Sequence, residues 1–447
     1  MGAIVTPRHT VTAVTVLAPP RLLARTVEVD LTAPLVSHLP ADVPPADLLA
    51  WVREGEGLVG WGRAASCRTE GTSRFRDAED WWLRVSSLAD VEDPVGEPGS
   101  GLVAFGSFSF SPDSGRGGTL VVPEVVVGRR GGRCWVTTVT DAEAGARAGL
   151  PPGAVDRTWH RPRLTVLDGA VPASRWPAVV AAGVRRIEAG EVEKVVLARD
   201  VVIRSEPPLD AGAVLARLAD RYAATWTFAV DGLVGATPEM LVRLQDGQVR
   251  SRVLAGTVRR DRQPAPLVTE AHPELDPTHP SDPRLRLVSS DKDLEEHAFA
   301  VRSVADALAP HCRDLEVPDA PFVLELPDVY HLATDLRGTL DTGATSLRLA
   351  AALHPSAAVC GTPSDAAARI IAELEGMDRG RYAGPVGWVD GRGDGDWGIA
   401  LRCGQLSADA SSIRLFAGGG IVAASDPEAE LAETEVKLAA MRYALGG

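Results

Sequence analysis

The sequence predicts an α+β fold in which large, mostly antiparallel β-sheets have helices packed on their outer faces. Short segments of apolar and β-branched residues, bounded by glycine and proline, recur along the chain and are typical of strands. Helical patterns separate blocks of strands, without the strict alternation that a parallel sheet requires. Short turns between consecutive strands favour antiparallel pairing. Because 45% of the 447 residues are hydrophobic, we expect one large domain spanning 1–447 with a substantial core.

The first part of the chain, residues 1–172, is expected to be a strand-rich N-terminal scaffold. Its predicted elements are strands at 58–65, 101–110 and 119–128 and a helix over 77–88. The proline-containing stretch 150–172 predicts a crossing segment or loop.

The second part, residues 173–442, is expected to be the catalytic portion. A helix is predicted over 174–189, because Val180, Val184 and Ile187 share one face and Gly190 ends the pattern. The other predicted elements are strands at 193–203, 228–236, 240–244, 249–254, 386–389, 397–406 and 413–416 and helices over 292–309 and 427–445.

Charge and cysteine content restrict the classes of partner. With 46 basic and 60 acidic residues the net charge is −14, which disfavours nucleic acid and anionic membranes. An anionic substrate must therefore be received by local features. The five cysteines include no CxxC pair, which argues against a disulfide framework or a zinc site and suits a reducing cytoplasm. We found neither a signal-peptide pattern at the start nor an apolar run of membrane-spanning length, so we expect a cytoplasmic protein.

The C-terminal segment is the most informative stretch. The glycine run 418–420 predicts a turn between a strand and a helix, because glycine permits close backbone approach. Ser425 or Asp426 can cap that helix, and Pro427 suits its first turn. Glu430 and Glu433 are three residues apart and share a face. A glycine shelf beside two carboxylates suits an anionic ligand held through a divalent metal.

Three other positions suit acid–base or anion chemistry, and two of them have a structural alternative. Lys194 shares a predicted strand face with Val196 and Ala198, where an apolar environment would lower its pKa and make it a general base. Alternatively it is an edge lysine that reaches water. Glu239, after a Thr-Pro turn, is either a general acid or a solvated turn residue. Arg402, placed on an apolar strand, requires an anionic partner.

Acidic residues in the helices allow the same two interpretations. Glu295 and Glu296 either favour the helix N-terminus electrostatically, or one of them is a metal ligand opposite Glu433. His297 lacks a second histidine at metal-binding spacing, which argues against zinc. Glu433 also precedes Lys437 by four residues, the spacing of an ordinary helix ion pair.

Taken together, these segments resemble the chorismate-utilising enzymes, which include isochorismate synthase, salicylate synthase, anthranilate synthase component I and aminodeoxychorismate synthase component I. The resemblance runs in order through roughly 175–440. The matching motifs are KVVLAR (194–199), GATPE (235–239), LAGT (254–257), KDLEEH (292–297), HLAT (331–334), LHP (353–355), RYAGPVGW (381–388) and the glycine–glutamate segment described above.

The resemblance implies specific roles for these residues. Lys194 resembles the base that activates water for attack at C2 of chorismate, and Glu239 the acid that protonates the departing C4 hydroxyl. Glu296 and Glu433 resemble magnesium ligands, with Glu430 in or beside the metal shell. The implied substrate contacts are Tyr382, Arg402, Gly418 and Gly419 around the enolpyruvyl carboxylate and Gly256, Thr257, His331, Ala358 and Val359 around the ring.

A few positions discriminate among the subfamilies. By resemblance, the aminodeoxychorismate synthases have a nucleophilic lysine at the position of Ala255. The family members that use ammonia have a glutamine at the position of Lys194. The HLAT motif at 331–334 is similar to the form of this motif in isochorismate synthases. We therefore expect a magnesium-dependent isochorismate synthase, an isomerase, with salicylate synthase as the alternative. We expect it to be a monomer that needs no amidotransferase subunit. Isochorismate feeds both menaquinone and siderophore synthesis, and the sequence does not choose between them.

Overall fold

The computed structural model describes residues 20–142, 153–155, 157, 159–259, 282–325 and 329–447, but not the side chains of Thr257, Arg259, Lys292 and Glu296. Its strands are β1 (Leu22–Val29), β2 (Leu48–Arg53), β3 (Glu56–Trp61), β4 (Ala65–Thr69), β5 (Asp90–Glu92), β6 (Val103–Phe108), β7 (Gly118–Val122), β8 (Val125–Arg130), β9 (Arg133–Asp141), β10 (Arg163–Asp168), β11 (Lys194–Glu206), β12 (Trp226–Val230), β13 (Leu233–Thr237), β14 (Met240–Gln245), β15 (Gln248–Arg259), β16 (Cys312–Glu316), β17 (Phe322–Glu325), β18 (Val329–Leu340), β19 (Gly361–Thr362), β20 (Pro385–Asp390), β21 (Gly395–Ile399), β22 (Cys403–Leu406) and β23 (Ser412–Ile421).

Helices connect these strands. The α-helices are α1 (Arg74–Leu88), α2 (Trp176–Glu188), α3 (Ala211–Arg221), α4 (Pro283–Val288), α5 (Asp291–Leu308), α6 (Ser346–Ala352), α7 (Ser364–Glu375) and α8 (Pro427–Ala444). Single 3-10 turns occur at Leu35–His38, Pro45–Asp47 and Ala173–Arg175. None of the helices in the described part of the chain is long and apolar enough to cross a membrane.

Within the described residues, the strands form two large sheets. One has 13 strands, in the order β10-β11-β23-β22-β13-β12-β2-β3-β8-β9-β1-β5, with β19 beside β11. The other has 10 strands, in the order β16-β18-β15-β14-β21-β20-β6-β7-β4, with β17 beside β18. The described pairings are antiparallel except for the parallel pair of β1 with β5. The predicted α+β class with large, mostly antiparallel sheets is therefore confirmed.

Buried aromatic side chains fill the space between the sheets. Trp51 of β2 packs against Phe228 of β12 in a tilted arrangement, with ring centroids 6.5 Å apart. A Cβ atom on Gly398 of β21 would lie 2.9 Å from the Trp51 ring, so the first sheet packs directly on the backbone of the second. Trp51 and Phe228 are essentially inaccessible to solvent, and such burial is the main favourable term in folding.

Several predicted strands are divided or extended in the structure. The predicted strand 228–236 is two strands, because Asp231 and Gly232 have φ values of 50° and 78° and form a tight hairpin turn. The predicted crossing segment 150–172 includes an edge strand, β10, which pairs with β11.

Two errors of prediction lie close to the candidate site. The glycine run 418–420 is not a turn: it lies inside β23, which pairs along its length with β11. The predicted strand 397–406 is broken, because Arg402 has a φ of 48° and lies between β21 and β22 rather than in a strand. Both errors arise from reading glycine and apolar runs locally, whereas strand pairing is decided by distant segments.

The predicted division at residue 172 does not separate the two sheets, because each sheet contains strands from both sides of it. Strands β2, β3, β8 and β9 join β11 and β23 in one sheet, and β6 and β7 join β20 and β21 in the other. The single domain over 1–447, with portions 1–172 and 173–442, stays a prediction.

Candidate active site

A cavity of about 220 Å³ lies where β11 and β23 of one sheet approach β15 and β18 of the other, with α8 along one side. The structure brings together here all predicted site residues whose side chains it describes; the side chains of Thr257 and Glu296 lie outside the described residues. The lining comprises Lys194, Val196, Pro238, Glu239, Leu254, Ala255, Gly256, Asp293, His331, Ala358, Val359, Arg379, Tyr382, Ala383, Leu401, Arg402, Phe416, Ala417, Gly418, Gly419, Gly420, Glu430, Glu433 and Lys437.

Glu239 is a buried carboxyl group that faces two lysines. It is 7% exposed, and its backbone N–H donates to Thr237 Oγ1 at 3.2 Å. Burial raises its pKa to about 8, although the positive charges of Lys194 and Lys437 oppose the rise. At neutral pH Glu239 therefore carries a proton that it can donate, and its burial excludes the solvated turn residue considered above.

Lys194 is the first residue of β11 and is 7% exposed. Its backbone pairs with Thr362 of β19, so the residue is anchored at the end of a paired strand. The alternative of a solvated edge lysine does not hold, because the side chain is buried in the cavity wall.

Positive and neutral groups also line the cavity. Arg402 and Lys437 both act on His331, whose pKa is lowered to about 3 mainly by burial and then by these two cations. His331 is therefore a neutral hydrogen-bonding group at physiological pH. Tyr382 stacks on Phe416 with ring centroids 5.1 Å apart, and burial raises the pKa of its phenol so that it stays protonated. Although the net charge of the chain is −14, this local cluster of cations provides a candidate site for an anionic ligand.

The glycines of β23 form a shelf without side chains. A Cβ atom on Gly418 would lie 2.5 Å from Leu197 O, and one on Gly419 would lie 2.7 Å from Glu430 Oε2. Gly418 leaves room for the backbone of the neighbouring strand, and Gly419 leaves room for the Glu430 carboxylate in its present position. The glycines thus allow close approach of protein atoms within a strand, and their close approach to a ligand stays a prediction.

A bulge in β15 shapes the wall opposite. The pairing of β15 with β18 shifts register between Ala255 and Thr257, and Gly256 adopts a φ of 77°. A Cβ atom on Gly256 would lie 3.3 Å from Asp293 Cβ. The bulge thus brings the backbone of β15 against the start of α5 and exposes both to the cavity.

The carboxylates beside the glycine shelf form an oxygen-rich edge. Glu430 accepts a hydrogen bond from Ser425 Oγ at 2.9 Å, and Asp426 caps α8 by accepting from Ala429 N. Glu433 pairs with Lys437 at 2.5 Å, and Asp293 reaches the same cavity from α5. The described residues contain no group of three histidine, cysteine, aspartate or glutamate side chains that could hold a metal. The oxygen donors present fit a hard cation such as Mg²⁺.

His297 and Cys360 are structural rather than reactive. His297 is buried, with Nε2 2.7 Å from Thr334 Oγ1 and Nδ1 3.3 Å from Ala255 O. Both ring nitrogens are therefore engaged, in line with the argument against zinc. Cys360 donates to Ser364 O, and burial raises the pKa of its thiol to about 11. At neutral pH it is a packed thiol, not a thiolate nucleophile.

Sequence reasoning missed Lys437, Asp293 and Arg379 as cavity residues. Lys437 was considered only as the partner of Glu433, yet its Nζ also donates to Gly418 O at 2.8 Å. Composition contains a usable signal: only three of the 46 basic residues are lysines, and two of them, Lys194 and Lys437, line this cavity. A chain that otherwise uses arginine keeps a compact ammonium group at these two positions.

Comparisons with known proteins agree on one family. The sequence profile of the chorismate binding enzymes matches residues 20–446. The isochorismate synthase DhbC of Bacillus subtilis is 41% identical over 59% of this chain and 66% of its own length. The isochorismate synthase MenF of the same organism is 31% identical over 87% of this chain and 85% of its own length. The solved structure of MenF, the menaquinone-specific isochorismate synthase of Escherichia coli, is 24% identical, with a TM-score of 0.73 and coverage of 96% and 95% of the two chains; it shares the fold.

Proposed function

Because the chain belongs to the chorismate-binding enzyme family, we propose that it is an isochorismate synthase, an isomerase that moves the hydroxyl group of chorismate from C4 to C2. The observation that carries the proposal is the pairing of a buried, protonated Glu239 with Lys194 in one cavity. An acid that donates a proton at neutral pH and a separate basic group are what this reaction requires.

The proposed reaction balances without a redox partner. Lys194 takes a proton from water as the water oxygen bonds to C2. The two ring double bonds each shift by one position, the C4–O bond breaks, and Glu239 gives its proton to the departing hydroxyl group. The sum is an isomerisation in which one water enters and one leaves.

The cations of the cavity suit the two carboxylates of chorismate. Arg402 offers a planar guanidinium fork that can bind one carboxylate in two places, and Tyr382 offers a protonated hydroxyl group. The glycine shelf permits close approach of the substrate to the backbone of β23. A bound Mg²⁺ would neutralise the ring carboxylate, and Glu430, Glu433 and Glu296 are the residues proposed to hold it.

Two features support water, rather than an amine, as the nucleophile. Ala255 lines the cavity and offers no nucleophilic atom, so no covalent intermediate with this position is available. By resemblance, the family members that use ammonia have a glutamine at the position of Lys194. We therefore propose that the chain acts without an amidotransferase subunit.

A product assay tests the proposal directly. Purified protein incubated with chorismate and Mg²⁺ is expected to form isochorismate, identified by proton NMR, without added glutamine or ammonia. Accumulation of salicylate and pyruvate in equimolar amounts would instead indicate salicylate synthase. An unchanged chorismate signal, or an aminated product that appears only with ammonia, would refute the proposed activity.

The pH dependence of the rate should reflect Glu239. Because the group acts as an acid, only its protonated form is active, and activity is lost as pH rises through its pKa of about 8. We expect kcat/KM to fall about tenfold per pH unit well above that value. A carboxyl group with an ordinary pKa would already be ionised at pH 7, so a rate that stays flat to pH 10 would contradict the role.

Glu433→Gln should weaken Mg²⁺ binding. The substitution removes a charged oxygen donor and leaves Lys437 without its partner on α8. We expect a rise in the Mg²⁺ concentration needed for half-maximal activity, with partial recovery at high Mg²⁺. Glu428→Gln is the matched control, because Glu428 is an exposed carboxylate of the same helix outside the cavity. Full wild-type activity after exhaustive chelation would argue against any metal role.

A further inference from the structure

We propose that the buried Glu375–Arg379 ion pair is a positioning pair that holds the Lys194 end of β11 in register with the opposite wall of the cavity. The inference rests on the proposed function of Lys194 as base. Neither residue is proposed to contact the reacting atoms.

The pair is almost fully enclosed. The side chains of Glu375 and Arg379 are 1% and 3% exposed. Arg379 Nε donates to Glu375 Oε2 at 2.9 Å, and Arg379 Nη2 donates to Glu375 Oε1 at 2.6 Å. The guanidinium group also lies over the Phe110 ring, 4.2 Å from its centroid. A charge pair so deeply buried requires that its remaining hydrogen-bonding atoms are satisfied.

Those remaining bonds all go to the backbone around the cavity. Arg379 Nη2 donates to Val196 O at 2.6 Å, and Glu375 Oε1 accepts from Ala198 N at 2.6 Å. Arg379 Nη1 donates to Val359 O at 2.9 Å. The pair therefore joins β11, two and four residues after Lys194, to the loop that carries Val359 in the cavity wall.

The position of these bonds explains why side chains, and not a neighbouring strand, bind the backbone of β11 here. One edge of β11 pairs with β23, but the other edge pairs with β19 only at residues 194 and 195 and with β10 only from residue 201 onwards. Between these two segments the backbone of β11 has no strand neighbour on that edge among the described residues. Cys360 O accepts from Val196 N at 2.9 Å, and Glu375 and Arg379 supply the next two partners. The ion pair thus replaces a missing strand where the base is positioned.

Arg379→Lys is the informative substitution. Lysine keeps a cation beside Glu375, but a single ammonium group cannot span Glu375, Val196 O and Val359 O as a planar fork does. Small misplacement of a catalytic group costs up to about 10²-fold in rate. We expect kcat to fall by about 10-fold or more while KM for chorismate changes by less than about threefold, since the carboxylate-binding residues remain.

A second measurement, hydrogen exchange, does not depend on activity and begins with the wild-type protein. In the wild-type protein, hydrogen exchange of the peptide 195–200 should be as slow as that of the adjacent fully paired segment 201–204. Exchange at the rate of an open strand edge would overturn the proposal. In Arg379→Lys, the exchange of Ala198 N–H should become faster while segment 201–204 stays protected.

Arg243→Lys is the matched control. Arg243 makes a two-point bond to the buried Asp396, at 2.6 Å and 2.5 Å, but does not line the cavity. It should lower thermal stability with little change in kcat per folded molecule. Equal loss of kcat in both variants, or a loss in Arg379→Lys that follows only the folded fraction, would refute the positioning role. If the wild-type protein fails to convert chorismate, the proposed function fails, and the exchange measurement still decides the structural part.

Discussion

Glu239→Gln should leave chorismate binding nearly unchanged and lower turnover by about 10²-fold or more. The C4 hydroxyl group is a poor leaving group unless it gains a proton as its bond breaks. Glutamine keeps the shape of the side chain but cannot donate that proton. Steady-state kinetics and a direct binding measurement separate the two effects, since loss of an interaction made only in the transition state lowers kcat and kcat/KM together. The reverse reaction, from isochorismate, should fail to the same extent.

Asp390→Asn is the control for removal of a buried acid. Asp390 is 1% exposed, and burial raises the pKa of its carboxyl group to about 6, but it lies outside the cavity. This variant should be less stable than the wild-type protein, but its rate should still fall above pH 8. A rise in KM with full turnover in Glu239→Gln would show that Glu239 binds substrate and that the acid is a different group.

Lys194→Arg and Lys194→Ala should both lose about 10²–10⁴-fold in turnover. Alanine removes the proposed base, whereas arginine keeps the positive charge but does not deprotonate at accessible pH. Equal losses in the two variants would therefore favour a role of Lys194 in proton transfer over a role of its charge alone. Circular dichroism and thermal unfolding should establish that both variants are folded before rates are compared.

Lys437→Arg provides the contrast within the same cavity. If Lys437 acts by its charge, arginine should preserve most of the turnover and change mainly KM, because both side chains attract a carboxylate. Near-full activity of Lys194→Arg would exclude Lys194 as the base. Such a result would leave the family assignment intact, because that assignment rests on the whole chain.

The strands and helices were largely predictable because their patterns are local. Helix α8 illustrates this: its cap Asp426, the proline at its first position and the shared face of Glu430 and Glu433 are all visible in adjacent residues. Residues Lys194, Glu239, His331 and Arg402, in contrast, are far apart along the chain. They were identified as one site only through the resemblance of ordered motifs, because no local pattern states that β11, β18 and the loop before β22 meet.

The errors had a common physical cause. The glycines 418–420 looked like a turn because glycine is the usual turn residue, but the long pairing partner β11 keeps them extended. Arg402 looked like a strand residue because its neighbours are apolar, but its positive φ breaks the strand and turns the side chain into the cavity wall.

By itself, the amino-acid sequence determined the fold class, the approximate positions of many strands and helices and the residue types that the chemistry requires, because these follow from periodicity and from side-chain chemistry along the chain. The tertiary structure alone decided that Glu239 is buried enough to stay protonated at neutral pH, that Lys437 joins the site, and that Glu375 and Arg379 close the open edge of β11. Those properties depend on desolvation and on hydrogen bonds between segments remote in sequence, and neither quantity exists until the two sheets pack together.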